Sequence, residues 1–260
     1  MASELSATSR RPGALIIGAS SGIGAALARA LAGQGYALAL VARRADALAT
    51  LARELNGAAG SVVARVYPCD ARDYDAAPAL YARILAELGD DSLEVAVYAA
   101  GVMPVGEKDT HWTFAQERET IETNILGAVR WLDLAAETFA ERGRGVLIGV
   151  SSVAGERGRR GNSAYQASKA ALSVYLESLG YRLRGRGVRV VAVKPGYVAT
   201  PMTAGLRMPR PLVSSPERIA ARIARACRAG SGPIYVPGYW APIMWIIRHL
   251  PAGVLARLPI

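Results

Sequence analysis

Short, almost wholly apolar runs alternate with longer mixed stretches along the 260 residues. Ala14–Gly18, Tyr36–Ala42, Ser61–Tyr67, Leu93–Ala99, Val146–Val150, Val188–Val193 and Ile234–Val236 read as strands. Between them, Ile23–Ala32, Ala45–Leu55, Asp75–Leu88, Thr113–Arg142, Ser163–Arg184 and Pro216–Arg228 read as helices. Asn56-Gly57 offers a helix stop, and Pro216 suits a first helical turn. Runs of five to seven apolar residues alternating with helices imply a parallel sheet covered on both faces. The pattern predicts one doubly wound α/β domain over residues 1–238, with a sheet of about seven strands and the first dozen residues frayed. An apolar appendage follows over 239–260. No repeat or linker interrupts it.

The first strand runs into Gly18-Ala19-Ser20-Ser21-Gly22-Ile23-Gly24 and then directly into a helix. Glycines at this spacing allow a sharp turn and let the backbone approach a pyrophosphate. The helix N-terminus then presents free N–H groups to phosphate. Gly18, Ser20, Ser21, Gly22, Ile23 and Gly24 are therefore expected to hold a dinucleotide in a Rossmann-type domain; the plain alternative is a tight turn. The second strand ends at Arg43-Arg44, where an acidic residue would bind the ribose 2′-hydroxyl of NAD. A cation there favours a 2′-phosphate, so Arg43 is assigned to the dinucleotide and NADP(H) is preferred, with NAD(H) also admitted. The alternative is surface cover. Asp70 follows the third strand, placed to accept from the adenine amino group or to cap the next helix.

Tyr165 and Lys169 stand at i and i+4, on one face of a helix. A lone phenol titrates near 10. A neighbouring ammonium favours the phenolate, which predicts a lowered pKa and an acid–base role. Ser152 closes the fifth strand, at the carboxyl end where such sheets bind ligands, and its hydroxyl can donate to a carbonyl oxygen. A chance helical pair and a turn cap are the alternatives.

Composition narrows the partners. The chain is 52% hydrophobic and 20% charged, long enough to fold on its own core. Its two cysteines, Cys69 and Cys227, lie far apart, which excludes a disulfide scaffold and a cysteine-rich zinc module, and no metal is expected. No apolar run is long enough to span a membrane. Arg10-Arg11 precedes too short an apolar stretch for a twin-arginine signal. The net charge of +10 raises nucleic acid, anionic membranes and anionic substrates as partners. The arginines are scattered without aromatic interleaving, which argues against a nucleic-acid reader.

Together, Gly18-x-x-x-Gly22-x-Gly24, Cys69-Asp70, Asn124 with Gly127, Ser152, Tyr165-x-x-x-Lys169 and Pro195-Gly196-x-x-x-Thr200 resemble the classical short-chain dehydrogenase/reductase family over about Ala14 to Val236. The resemblance implies that Tyr165 is the general acid for ketone reduction. Lys169 would tune it and hold the nicotinamide ribose, and Ser152 would polarise the carbonyl. Asn124 would hold a water in a proton relay. It also implies that Ala100, Gly101, Tyr165, Lys169, Pro195, Gly196, Val198 and Thr200 contact the cofactor, and that the chain forms a homodimer or homotetramer. Two positions depart from the family: Ile17 replaces a threonine, and Tyr98-Ala99-Ala100-Gly101 replaces Asn-Asn-Ala-Gly. The lost asparagine is expected to weaken a bond between neighbouring strands.

Ser151–Asn162 and Ile246–Ile260 further resemble decaprenylphosphoryl-2-keto-erythro-pentose reductases, a branch of that family, while the glycine loop is of the general type. This implies a polyprenyl-phosphate-linked 2-keto sugar as substrate; the alternatives are a 3-oxoacyl, steroid or other ketone, or a non-catalytic dinucleotide sensor. Glu156, Arg157, Arg159 and Arg160 lie between Ser152 and Tyr165, where guanidinium groups could bind phosphate or simply be solvated. The tail, Ala241–Ile247 followed by Arg248 and His249, suits contact with an anionic membrane, a partner subunit or its own core. The expected location is cytoplasmic, at the inner face of the membrane if the tail binds lipid. His111, His249 and the Asp90-Asp91 turn carry no chemistry in this reading.

Overall fold

A computed structural model of the chain describes residues 11–89, 92–105 and 111–257. Residues 1–10 of the stretch expected to be frayed, Arg10 among them, and Asp90-Asp91 therefore lie outside the described residues, as do the last three residues of the tail, whereas Pro12 C=O already accepts from Ala37 N–H at 2.9 Å. The elements are β1 (Gly13–Ile17), α1 (Gly22–Ala32), β2 (Ala37–Ala42), α2 (Ala45–Ala59), β3 (Ala64–Pro68), α3 (Ala76–Leu88) and β4 (Leu93–Tyr98). After them come α4 (Phe114–Ile121), a π-helical turn (Glu122–Leu126), α5 (Gly127–Arg142), β5 (Gly145–Val150), α6 (Ser163–Arg182) and β6 (Val188–Pro195). The last are β7 (Tyr197–Val198), β8 (Val213–Ser214), α7 (Pro216–Arg228), β9 (Gly232–Val236), α8 (Trp240–His249) and α9 (Ala252–Leu255).

The main sheet has seven strands in the order β3-β2-β1-β4-β5-β6-β9, every neighbouring pair parallel. Strand residues alternate between two cores. Ala14 and Ile16 join one core with α1, α2 and α7, whereas Leu15 and Ile17 join the other with α3, α5 and α6. With both faces buried, strands such as Ala37–Ala42 are apolar at every position. The chain reverses direction across the sheet between β1 and β4, and the crevice beyond the strands' carboxyl ends opens there.

Several boundaries move, for identifiable reasons. Helix α2 passes Asn56-Gly57 and ends at Gly60, which takes the left-handed φ of 63°. Asn56 instead ties the helix to the next strand: its Oδ1 accepts from Val63 and Ala64 N–H at 2.8 Å each, and its Nδ2 donates to Ala64 C=O at 3.0 Å. The segment read as one helix over 113–142 is divided by the π turn. The tail lies partly on the chain's own core: Trp240 and Met244 pack with Val153, while Trp245, Ile246 and Val254 face outward. No helix among the described residues is long and apolar enough to cross a membrane.

Candidate active site

The glycine loop owes its sequence to steric contact. Gly18 has φ of 92°, and a Cβ there would lie 2.4 Å from the Ala100 nitrogen. A Cβ on Gly24 would lie 2.2 Å from Gly18 O, so side chains at these positions would push α1 off the sheet. Helix α1 begins with no acidic residue in its first turn and no side-chain cap on its N–H groups. Those donors are left for phosphate, and Ser20, Ser21, Gly22 and Ile23 line a cleft of about 520 Å³. Gly24 sits behind them as packing. The loop and its free helix end thus form a cradle that fits a pyrophosphate.

The two arginines after β2 have separate surroundings. Arg44 donates to Ser21 Oγ at 2.7 Å and to Ser20 Oγ at 3.1 Å, on the glycine loop itself. Arg43 turns to Glu119 at 3.3 Å and Asp70 at 3.8 Å. Both line the cleft. Sequence reasoning assigned Arg43 alone; Arg44 is better placed beside the loop, and adjacent arginines look alike until the loop serines are in place. Asp70 lines the cleft but caps no helix: it accepts from Arg72 Nη2 at 2.8 Å and from the Arg72 backbone N–H at 3.0 Å. Those bonds hold its carboxyl below the usual carboxylate range.

Ser152, Tyr165 and Lys169 converge on the same cleft. Gly155 makes this possible. A Cβ there would lie 2.5 Å from the Ala170 nitrogen, so only glycine lets the loop after β5 press against α6. Ser152 caps the short turn Val153–Gly155, accepting from Ala154 N–H at 3.0 Å. Its hydroxyl also acts to hold down the pKa of the Tyr165 phenol. Asn162 caps α6, its Oδ1 accepting from Tyr165 N–H at 3.0 Å. The Lys169 ammonium donates to Val150 C=O at 2.9 Å and lies 5.8 Å from the centre of the Tyr165 ring.

The electrostatics correct one expectation. Burial raises the Tyr165 phenol above its ordinary value, with Ser152 acting in the opposite direction. Lys169 is itself brought down to about 8 by burial. Desolvation outweighs their mutual effect because both charged forms have lost water. The phenol is thus a neutral O–H donor at pH 7, beside a lysine that still holds its proton.

Asn124 does not line the cleft. Its Oδ1 accepts from Val102 N–H at 2.8 Å, and its Nδ2 donates to Val102 C=O at 2.9 Å and Ser168 Oγ at 3.0 Å. The side-chain amide is thereby occupied in fastening the segment after β4 to α6. Gly101 lies between it and Lys169: a Cβ there would be 3.2 Å from Asn124 Oδ1 and 3.5 Å from Lys169 Nζ. Asn124 sits within the π turn, a shape that sequence periodicity did not reveal. Two tyrosine hydroxyls serve that turn: Tyr74 donates to Glu122 C=O at 3.2 Å, and buried Tyr98 donates to Thr123 C=O. Tyr98 thus adds a bond from β4 to the turn that carries Asn124.

Ala100, Gly101, Pro195, Gly196, Val198 and Thr200 all line the cleft. Thr200 faces the glycine loop; a Cβ on Gly22 would be 3.3 Å from its methyl carbon. Trp240 is a lining residue that the sequence did not disclose: its indole occupies the space where a side chain on Gly196 would stand. The 156–160 stretch divides. Glu156 is nearly closed to solvent and paired with Lys194 and Arg248, and Arg157 approaches Leu250 C=O at 3.4 Å. Only Arg159 and Arg160 reach the cleft.

The short chain dehydrogenase profile matches residues 13–210. The chain belongs to the short-chain dehydrogenase family. It is an NAD(P)-dependent oxidoreductase. An uncharacterized oxidoreductase of Mycobacterium tuberculosis is 38% identical over 246 residues, 94% of this chain and 96% of its own length. Among solved structures, a 3-oxoacyl-[acyl-carrier protein] reductase from Brucella melitensis superposes with a TM-score of 0.76 at 25% identity, covering 88% of this chain and 91% of that one. Actinorhodin polyketide ketoreductase, solved with NADPH, gives 0.77 at 27% identity, covering 87% and 95%. This short-chain dehydrogenase keeps the family fold, with Tyr98 closing β4.

Proposed function

We propose that this short-chain dehydrogenase reduces a ketone using NADPH in preference to NADH. The observation that carries the reading is the convergence of a neutral Tyr165 phenol, Ser152 and Lys169 on a cleft whose far end is a phosphate cradle flanked by Arg44. The bound dinucleotide would supply hydride to the carbonyl carbon. Ser152 would donate to the carbonyl oxygen, and Tyr165 would give that oxygen its proton. The phenolate left behind gains from the nearby ammonium, so Lys169 stabilises the state that forms during reaction more than the one before it. Asn124, through its hold on the segment after β4 and on α6, keeps Gly101 and Lys169 in register. Asp70 and Ala100 would flank the adenosine; Gly101, Pro195, Gly196, Val198 and Thr200 would line the nicotinamide end.

The similarity to 3-oxoacyl and polyketide reductases favours an acyl ketone, whereas the resemblance of Ser151–Asn162 to the decaprenylphosphoryl keto-pentose reductases favours a polyprenyl-phosphate-linked 2-keto sugar. The finer reading is a cytoplasmic homodimer or homotetramer of domains spanning 1–238, with the outward face of the tail resting on the inner membrane surface. NADPH oxidation over a carbonyl panel that includes 3-oxoacyl thioesters and a polyprenyl-phosphate keto-pentose tests it. Turnover of none of them would refute the reductase assignment.

Two predictions follow from the site's charges. Arg44→Asp should reduce the NADPH-over-NADH ratio of kcat/KM by about ten- to a hundred-fold, the loss expected of one charge-assisted hydrogen bond. Arg43→Asp, whose charge Glu119 and Asp70 already share, should reduce it less. Parallel kinetics with both dinucleotides measure the two ratios. The kcat/KM for the dinucleotide reports groups in the enzyme before binding. It should fall above about pH 8 as Lys169 loses its proton; a pH profile flat to pH 9.5 would contradict this role.

A further inference from the structure

The cleft carries more positive charge than a dinucleotide accounts for. Below β2, Arg43 and Arg44 meet Glu119, Asp70 and the loop serines. Three strand spacings away, roughly 14 Å across the sheet, the chain leaves β5 at Ser152. Here Arg159, Arg160 and Arg207 line the same cavity as Tyr165. None of the three pairs with a carboxylate among the described residues.

Arg159 is held in place by its neighbour. Its backbone N–H donates to Gln166 Oε1 at 2.7 Å, and its C=O accepts from Gln166 Nε2 at 3.1 Å. Gln166 follows Tyr165 on α6 and lines the cleft beside it. The Arg159 Nε is sealed from solvent and has no partner among the described residues, and the same holds for the indole nitrogen of Trp112, another lining residue. A guanidinium that merely solvated a loop would keep Nε in water. The sealed Nε fixes the guanidinium plane by packing, and its terminal nitrogens, which no described residue pairs, are the donors left for a ligand oxygen in the cleft. Around them stand Met103, Met202, Leu206 and Met208, an adaptable apolar lining.

We infer that the substrate half of the cleft reads an oxyanion, phosphoryl or carboxylate, carried by a substrate whose remaining body is apolar. Arg159 is its principal contact, while exposed Arg160 and Arg207 draw the anion to the rim. The inference rests on the ketone-reductase reading of the same cleft and narrows its substrate class.

Binding to the NADPH-saturated enzyme tests it without turnover. Hexyl phosphate, hexanoate and neutral hexanol would be titrated by calorimetry into the wild type, Arg159→Met and Tyr165→Phe. The wild type should bind at least one anion about ten- to a hundred-fold more tightly than hexanol, and which anion wins tells phosphoryl from carboxylate. Arg159→Met should erase that margin and leave hexanol binding unchanged. Tyr165→Phe should keep the margin while losing ketone turnover, so the substrate class and the reductase reading can fail separately. Hexanol binding as tightly as both anions, or an undiminished margin in Arg159→Met, would overturn the inference.

Discussion

Tyr165→Phe should lower kcat for ketone reduction by about 10²–10⁴-fold, the usual contribution of a positioned general acid. The variant removes one oxygen from a buried ring. Ser152 keeps its cap bond from Ala154 N–H. The α6 cap at Asn162 reaches the backbone of residue 165, which the substitution does not alter. Folding and dinucleotide binding should therefore remain nearly intact, and fluorescence titration with NADPH alongside steady-state kinetics separates binding from chemistry. A variant that turns over at a tenth of the wild-type rate would mean that the proton comes from elsewhere.

Lys169→Met should abolish most activity and make the protein more stable. Burial brings the Lys169 pKa from 10.5 to about 8. At pH 7 the side chain is charged both folded and unfolded, so the cost of burying that charge is fully present, about 3 kcal/mol at 1.36 kcal/mol per unit. Methionine removes the charge but forfeits a charge-assisted bond and leaves the buried Val150 C=O unpaired, a loss of about 1.5–3 kcal/mol. The net expectation is a gain of up to about 1.5 kcal/mol, at most a few degrees in Tm. Between about pH 8 and 10.5 the folded wild type releases this proton before the unfolded chain does. Its stability should therefore rise with pH across that window, and this component should vanish in the variant. Denaturant titrations at pH 7 and pH 10 check both statements. A less stable variant would indicate that the bond to Val150 outweighs the buried charge.

The parts legible in the sequence were those governed by periodicity or by fixed spacing. Strands β1, β2 and β5 announced themselves because both of their faces are buried and no polar residue stands in them, while β3, β4 and β6 could be read despite Arg65, Glu94 and Arg189 because the rest of each run is largely apolar. The glycine loop and the pair at 165 and 169 could be read because their spacing is itself the geometry. What escaped depends on contacts between distant segments. Gly155 is one of 27 glycines, and nothing local marks it as the point where the β5 loop meets α6. The π turn left no readable signal, because α4 buries only Thr120 and so has no apolar stripe whose register could be compared with that of α5. Arg44 and Arg43 differ only in which partners the fold brings near. Glu156 and Arg157 looked equivalent to Arg159 and Arg160, because side-chain direction in a loop is set by what packs behind it, here Lys194 and the tail. Tyr98, read as a lost bond, adds one of its own to the turn that carries Asn124.

The account depends most on the phenol of Tyr165 holding a proton that it can give. The direct measurement is ¹³C NMR of protein labelled at tyrosine Cζ, with the Tyr165 resonance identified by its loss in Tyr165→Phe. At pH 7 that resonance should be that of a neutral phenol, and it should titrate only at higher pH than a free phenol does, because burial raises its pKa. A phenolate signal at pH 7 would contradict the assignment of Tyr165 as the acid.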